Sequence, residues 1–368
     1  MLCACLVSSA EMAHRNIPIF IPHLGCPNQC VFCNQRSISG CQAFEKENVK
    51  TQIEQALATI PPSDEVEIAF FGGSFTGIER ELMLWLLDTA QEYVDAGRVQ
   101  SIRLSTRPDY ISDGILQILA RYSVKTVELG LQSMNDEVLC KALRGHTADQ
   151  ARAACRAVVA AGFSLVGQMM IGLPASTLQT ELDTAKEICA LGASAARIYP
   201  TVVFRQTPLY RSMLTGEYQP LSVEEAVERS AEVLECFLGH GVPCIRIGLC
   251  ASEELVSPEQ VAAGANHPAL GELVWNRYYY KQILRSLTEA GLIGKKVALC
   301  VPKSDVSKAV GQHRSNIEAL LRETDTRIYK IIGSEDVRGV MPIAWELAEN
   351  LAKGANDRVS EITGNAGL

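Results

Sequence analysis

Cys26, Cys30 and Cys33 fall within one eight-residue stretch, Cys26-Pro27-Asn28-Gln29-Cys30-Val31-Phe32-Cys33, separated by three and then two residues. Thiolates are soft ligands, and three on one short loop suit an iron–sulfur cluster or zinc. Structural zinc closes its tetrahedron with a fourth protein ligand, but the following Asn34-Gln35-Arg36 holds neither cysteine nor histidine. Three thiolates on a four-iron cluster leave one iron open to a ligand from outside the chain. Zinc with a distant fourth ligand is the competing reading.

Further chemically capable residues follow at intervals. Gly72-Gly73 ends an apolar run, where glycine lets a backbone approach a ligand or simply turn tightly. Ser105 and Arg107 precede Pro108, which favours an extended Arg107; a surface ion pair is the plain alternative for that arginine. Glu128 sits inside an apolar strand-like stretch, and a buried acid needs partners; Gln132 and Arg144 are the candidates, and an internal ion pair would explain Glu128 without a ligand. Cys236, Cys244 and Cys250 read as core thiols rather than a second cluster. His146 and His267 are candidate proton donors or ordinary loop histidines.

Alternating elements must position these residues. Apolar strands are expected at 17–21, 66–71, 101–105, 126–131, 165–171 and 195–199. Helical spacing lies between them, at 49–60, 79–96, 112–122, up to about 161, and 178–191. Six strand–helix units at regular spacing predict parallel strands with helices outside, an α/β fold. Six are too few to close an eight-fold barrel, so a partial (β/α)6 TIM-like barrel is expected, with a doubly wound open sheet as the alternative. The singled-out residues fall at successive strand ends, including Gln168, Met169 and Tyr199, and working residues of such barrels gather there. An acidic amphipathic helix (223–239) and one more strand (242–249) follow. Loop residues Asn266-His267-Pro268 are expected across the barrel mouth. The barrel with its capping elements spans 16–290, and a small α+β unit occupies 291–368, with strands at 295–301 and 327–331 flanking a helical pair around Gly311. Residues 1–15 read as a disordered or non-native extension, with Met12 a candidate start and a cleaved signal the alternative. The last dozen residues are expected to fray.

Composition bounds the rest. The net charge is −8, from 34 Lys and Arg against 42 Asp and Glu, which argues against general polyanion binding while leaving room for a local basic face. No apolar run is long enough for a membrane span. Thirteen cysteines, an odd number, do not form a disulfide framework in so large a chain; reduced thiols in a cytoplasmic protein are expected.

The cysteine triplet, with aromatic Phe32 just before its last member, resembles the signature of the radical S-adenosylmethionine superfamily. The resemblance implies a 4Fe-4S cluster on Cys26, Cys30 and Cys33, with S-adenosylmethionine on the open iron. One electron would then split that cofactor to a 5′-deoxyadenosyl radical. It also implies that Phe32 and Glu128 belong to the cofactor site, and that Gly72 and Gly73 offer backbone to the methionyl amine. Ser105 and Gln132 would lie near the ribose, and Arg107 and Arg144 near the carboxylate. From about 17 to 277, stretches such as FFGGSFT, STRPDYI, VELGLQS, LRGHT and RIYPTVVFRQTPLYRSMLTGEYQP resemble the radical domain of the Elongator catalytic subunit. The cysteine spacing is instead that of coproporphyrinogen dehydrogenase-like members, and the residues past 290 are too few for that subunit's acetyltransferase domain.

The segment 307–328 resembles the core of a type II KH fold, whose GXXG turn clamps a nucleic-acid backbone. Here the turn is Gly311-Gln312-His313-Arg314, lacking the second glycine, and Lys308, Gly311, His313 and Arg314 are the candidate RNA contacts. Residues 295–330 hold eight Lys and Arg against four Asp and Glu, a local net of +4 that suits a polyanion partner. An ordinary solvated helical pair is the alternative. The sequence thus points to an oxygen-sensitive radical enzyme that takes electrons from reduced flavodoxin or ferredoxin and acts on tRNA or rRNA. The alternatives are the same chemistry on a small molecule such as a porphyrinogen, and a metal-bearing RNA-binding module without turnover.

Overall fold

A computed structural model describes residues 14–27, 30–34, 43–249, 257 and 259–345. Residues 1–13 of the extension expected at 1–15, Asn28 and Gln29 of the cysteine loop, Arg36, Cys250 and the C-terminal dozen lie outside the described residues, while His14 and Arg15 open the first strand. The chain divides into two compact units, one of residues 1–222 and 236–268, the other of 223–235 and 269–368.

The first unit is built on a parallel sheet of β1 (His14–Phe20), β2 (Glu65–Phe71), β3 (Ser101–Thr106), β4 (Val124–Gln132), β5 (Ser164–Ile171), β6 (Ala195–Pro200) and β8 (Cys244–Ile247). The strands lie in the order β1-β2-β3-β4-β5-β6-β8. That order separates the two expected architectures. A doubly wound sheet reverses direction at a switch point. A sheet that adds each strand on the same side, through right-handed crossovers, keeps its helices on one face and curls toward a barrel. The fold is therefore the partial barrel, and β8 adds a seventh strand beyond the six repeating units.

The helices between strands are α1 (Val49–Leu57), α2 (Arg80–Asp95), α3 (Asp113–Leu119), α4 (Asp136–Lys141), α5 (Ala148–Ala160) and α6 (Leu178–Ala190). The single helix expected before residue 161 is two, because Gly145 (φ +73°) and the non-glycine Leu143 (φ +51°) turn the chain between α4 and α5. Thr147 restarts it with a reciprocal capping box to Gln150, which satisfies backbone donors that a new helix leaves unpaired. A short antiparallel pair, β7 (Val202–Phe204) with β9 (Val261–Gly264), and α7 (Pro208–Leu214) were not expected; they follow β6 where the alternating pattern lapses. The long helix α8 (Val223–Gly239) matches its expected bounds.

The strands divide by face. On β1, Ile17 and Ile19 are buried, and on β3, Ile102 and Leu104 are fully buried; these point to the helices. The alternate residues, Glu67, Arg103, Glu128, Gln168 and Arg197, lie on the other face of their strands and bond to one another. One face supplies the hydrophobic core and the other a polar lumen.

The second unit joins α9 (Leu270–Glu289), β10 (Lys296–Pro302), α10 (Val306–Val310), α11 (Ser315–Thr324), β11 (Arg327–Ser334) and β12 (Met341–Ala344). Its sheet runs β11-β10-β12, with β11 parallel to β10 and β12 antiparallel. Its core gathers Tyr279, Ile283, Leu287, Val297, Leu299 and Leu320. β12 was not expected; its four residues give too short an alternation to read.

Two loops at the strand ends of the first unit interlock without side chains. A Cβ on Gly25 would stand 2.3 Å from the Ser74 carbonyl oxygen, and one on Gly73 would stand 2.5 Å from the carbonyl oxygens of Ile21 and Leu24. Gly25 also sits at φ +67°, so an L side chain meets both strain and collision. Gly25→Ala is expected to lower stability by about 1–3 kcal/mol. Gly114→Ala, in α3 with nothing near the added methyl, should be neutral or stabilising; paired denaturant titrations compare the two.

Candidate functional site

The cysteine loop leaves β1 and is pinned along both its described parts. Ser74 N donates to the Leu24 carbonyl at 2.9 Å, and Cys26 N donates to His23. Beyond Cys30, Val31 N donates to the carbonyl of Ala142 after α4 (3.1 Å), and its own carbonyl accepts from Leu209 N at the start of α7 (2.9 Å). Phe32 packs against two apolar clusters, one with Val31, Val203 and Leu209 and one with Val138, Ala142 and Leu173. Its part in the fold is thus to anchor the loop.

Around the buried Cys30 the structure gathers several of the sequence candidates. Arg144 Nη1 lies 3.1 Å from Cys30 Sγ and Arg107 Nη1 lies 3.8 Å from it. Arg144 Nη2 donates to the Gly130 carbonyl at 2.6 Å. Arg107 grips Asp109 through Nε (2.9 Å) and Nη2 (2.8 Å) and also reaches the Arg144 carbonyl. Burial disfavours the Arg107 charge, but the Asp109 carboxylate outweighs it and raises the guanidinium's pKa. Two guanidiniums beside one thiol make a cationic wall suited to an anionic ligand.

Gln132 closes β4 at φ +68°, a conformation that costs a non-glycine residue energy and tends to persist at functional sites. Its buried Oε1 has no hydrogen-bond partner, nor have Arg144 Nε and both ring nitrogens of His146. Buried polar atoms are nearly always satisfied, so such atoms within one fifteen-residue stretch beside Cys30 mark a place for a polar ligand. Gly72 adopts φ +89° with only ordinary contacts near its missing Cβ, whereas Gly73 is required by the loop interlock.

Glu128 and Ser105 lie deeper. Glu128 is fully buried, and its partners are not Gln132 and Arg144 as expected. Oε1 accepts from Arg103 (2.9 Å) and Arg197 (2.8 Å), and Oε2 accepts from Gln168 (2.8 Å). The correction follows from the pleat and the register, because lumen-facing residues at mid-strand height meet one another rather than the rim. Gln168 also reaches Ser105 Oγ at 3.2 Å. Arg103 continues to Glu67, which accepts from Ser101 at 2.6 Å. Burial would raise the Glu67 pKa, but Ser101 and Arg103 hold it below the usual carboxylate range. Sequence reading missed Arg103 and Arg197; charged residues alternating with apolar ones inside buried strands were the available signal. Met169 faces the helices, fully buried. Tyr199 lies near Arg197, and burial raises its phenol pKa.

Among the described residues, no group of three His, Cys, Asp or Glu side chains is placed to hold a metal ion. Ligands of a cluster each take a different iron and so need not meet around one point. Cys236 and Cys244 do not read as reactive thiols: burial raises both, Cys244 to about 12. In the second unit, Lys308 is paired with Asp305 at 2.7 Å and lies over the Trp275 ring. Gly311 is buried, and the exposed His313 and Arg314 both have left-handed backbone. The Asn316 amide braces this turn by donating to the carbonyls of Lys308 and Ala309.

Residues 20–188 match the family model for the radical SAM superfamily, and residues 193–280 the radical SAM C-terminal domain. The tRNA uridine(34) acetyltransferase of Methanocaldococcus infernus is 27% identical over 256 residues, 64% of this chain and 47% of that protein. Elongator complex protein 3 of Saccharomyces cerevisiae is 28% identical over 211 residues, 51% of this chain and 37% of that protein. The chain thus spans about half the length of these curated relatives or less. The solved structure of archaeal M. infernus Elp3 with an N-terminal deletion superposes with a TM-score of 0.57 at 20% identity, covering 77% of this chain and 66% of that one. At that identity the likeness concerns the fold, the partial barrel. No helix among the described residues is long and apolar enough to cross a membrane.

Two outcomes test the site's electrostatics. Glu128→Leu should cost about 3–5 kcal/mol in denaturant unfolding, because it strands buried guanidiniums. His146 is held neutral: burial first, and then the Arg144 charge, push its pKa down from 6.5 to about 4. The unfolded chain takes up that proton near pH 6.5 and the folded chain only near pH 4, so stability falls as pH drops through this window. The wild type should lose about 3 kcal/mol more than His146→Asn between pH 7 and 4.

Proposed function

Because the chain belongs to the radical S-adenosylmethionine superfamily, we propose that the strand-end site around Cys30 is its catalytic centre and that its substrate is RNA. Members of this superfamily use a 4Fe-4S cluster and S-adenosylmethionine. The donor set here fits both: three cysteines on one loop for the cluster, and unsatisfied polar atoms beside them for the cofactor. The observation that carries the reading is the meeting of Cys30, Arg107 and Arg144 next to the orphaned Gln132 oxygen.

A cluster with S-adenosylmethionine bound supplies one-electron cleavage of a sulfonium carbon–sulfur bond, giving methionine and a 5′-deoxyadenosyl radical. The chain's own residues bind and shield. Cys26, Cys30 and Cys33 supply thiolates, and Phe32 keeps their loop in place. Arg144 and Arg107 offer planar forks suited to a carboxylate. Gln132 Oε1 would accept from a ribose hydroxyl and the Gly72-Gly73 backbone would meet the methionyl amine, while Ser105 lies deeper against Gln168. Glu128 holds the lumen side chains in place beneath the site. The electron comes from reduced flavodoxin or ferredoxin, in a cytoplasm protected from oxygen.

For the substrate, the name of the tRNA uridine(34) acetyltransferase relative favours tRNA, with rRNA of the same chemical class. The basic tail supports a polyanion, and the exposed His313 and Arg314 turn is a contact for its backbone, with Gly311 shaping the turn and Lys308 at its edge. Anaerobic reconstitution should yield four irons and four sulfides per chain, and dithionite should release 5′-deoxyadenosine, faster with total tRNA. Cys30→Ala should abolish absorbance near 400 nm and the release together, and retention of either would count against the centre. Arg144→Gln should keep the cluster while weakening S-adenosylmethionine binding about tenfold or more, as removal of a charge-assisted bond does.

A further inference from the structure

The second unit has a sheet face that neither its core nor the helical turn uses. On β10, Val297, Leu299 and Val301 point into the core with Ile328 and Ile331 of β11. Ala298 and Cys300 face the opposite way and are buried too; the register places the exposed Lys330 beside Ala298 on one flank and Ile343 beside it on the other. Lys296 pairs in register with Arg327 at the end of this face. A register shift between Val297 and Ala298 leaves Tyr329 as the extra residue of β11. Tyr329 is 48% exposed and stacks on Trp345 with ring centroids 4.8 Å apart. Lys296 Nζ stands 5.5 Å from the Tyr329 ring centre.

Two properties decide what such a face would take. Several other cations of this unit are paired, Lys303 with Glu335, Lys308 with Asp305 and Arg322 with Glu323. Lys296, Arg327 and Lys330 have no carboxylate partner among the described residues, so much of the local positive excess collects on one side of the sheet. Aromatic rings set among unpaired cations, along the exposed β11 side of the sheet, match what a single-stranded nucleic acid requires: π-faces for bases and cations for phosphates. An apolar partner would not call for three unpaired cations, and a duplex would hide the bases the rings could stack on.

We propose that the exposed β11 side of this sheet binds a single-stranded segment of the RNA substrate, with Tyr329 and Trp345 stacking on bases and Lys296, Arg327 and Lys330 lying along the phosphates. This rests on the RNA reading above and adds a second contact surface, distinct from the turn at 311–314.

Anisotropy of a fluorescein-labelled single-stranded RNA of about 12 nucleotides, with the full chain, tests it. Tyr329→Ala/Trp345→Ala should weaken binding roughly tenfold or more, while Tyr329→Phe/Trp345→Phe should nearly restore it. Lys296→Ala/Lys330→Ala should flatten the logarithmic salt dependence by about 0.7 for each phosphate left without its lysine. A matching duplex should bind more weakly than the single strand. Wild-type affinity in both alanine pairs, with weakened binding confined to Arg314→Ala, would overturn the proposal but leave the RNA reading standing. No RNA binding by the wild type would overturn both. A dimer in sedimentation that Trp345→Ala dissolves, with RNA affinity unchanged, would assign the face to a second copy instead.

Discussion

A carboxylate with no access to water cannot stay charged alone, and Glu128 is such a group. It draws Arg103 from β3, Arg197 from β6 and Gln168 from β5 onto one strand, while Arg103 carries the link on to Glu67 of β2. An open sheet has no last hydrogen-bonded pair to fix its curl. Here ion pairs tie four strands from the inside and the Gln168 amide ties a fifth, so the lumen is shaped by polar geometry rather than by apolar filling. The strand ends, where the cysteine loop and its arginines meet, inherit that geometry.

The site rests on two kinds of support. Backbone contacts lock the first half of the cysteine loop against the loop after β2 through Gly25 and Gly73, where no side chain fits. Apolar packing by Val31 and Phe32 locks the second half. Arg107 and Arg144 then arrive from β3 and from the turn between α4 and α5, and each is oriented by a carbonyl or carboxylate before any ligand is present. Such orientation in advance reduces what binding must spend on ordering side chains.

Much of this was legible in the chain. Each strand of β1–β6 was visible because one face is continuously apolar, and Ile17, Ile19, Ile102 and Leu104 show that face plainly. Arg107 and Gln132 were found at strand ends, Cys30 by the spacing of its triplet, and Arg144 as a candidate partner of Glu128 and by family resemblance; the fold brings these positions together. The partners of Glu128 were misread because sequence nearness suggested Gln132 and Arg144, whereas pleat and register, which need the sheet, select Arg103 and Arg197. β7, β9 and β12 escaped because three or four residues carry too little alternation. The aromatic pair on the last sheet depends on a one-residue register shift, which no periodicity announces.

The backbone bonds of Val31 have a consequence for how the protein is made. Its amide waits for Ala142 and its carbonyl for Leu209, both far downstream in the order of synthesis. The loop's first half can settle once the residues after β2 have left the ribosome, but its second half stays unsecured until most of the barrel has been translated. A nascent chain halted before Leu209 would therefore present its three thiols on a half-tethered loop.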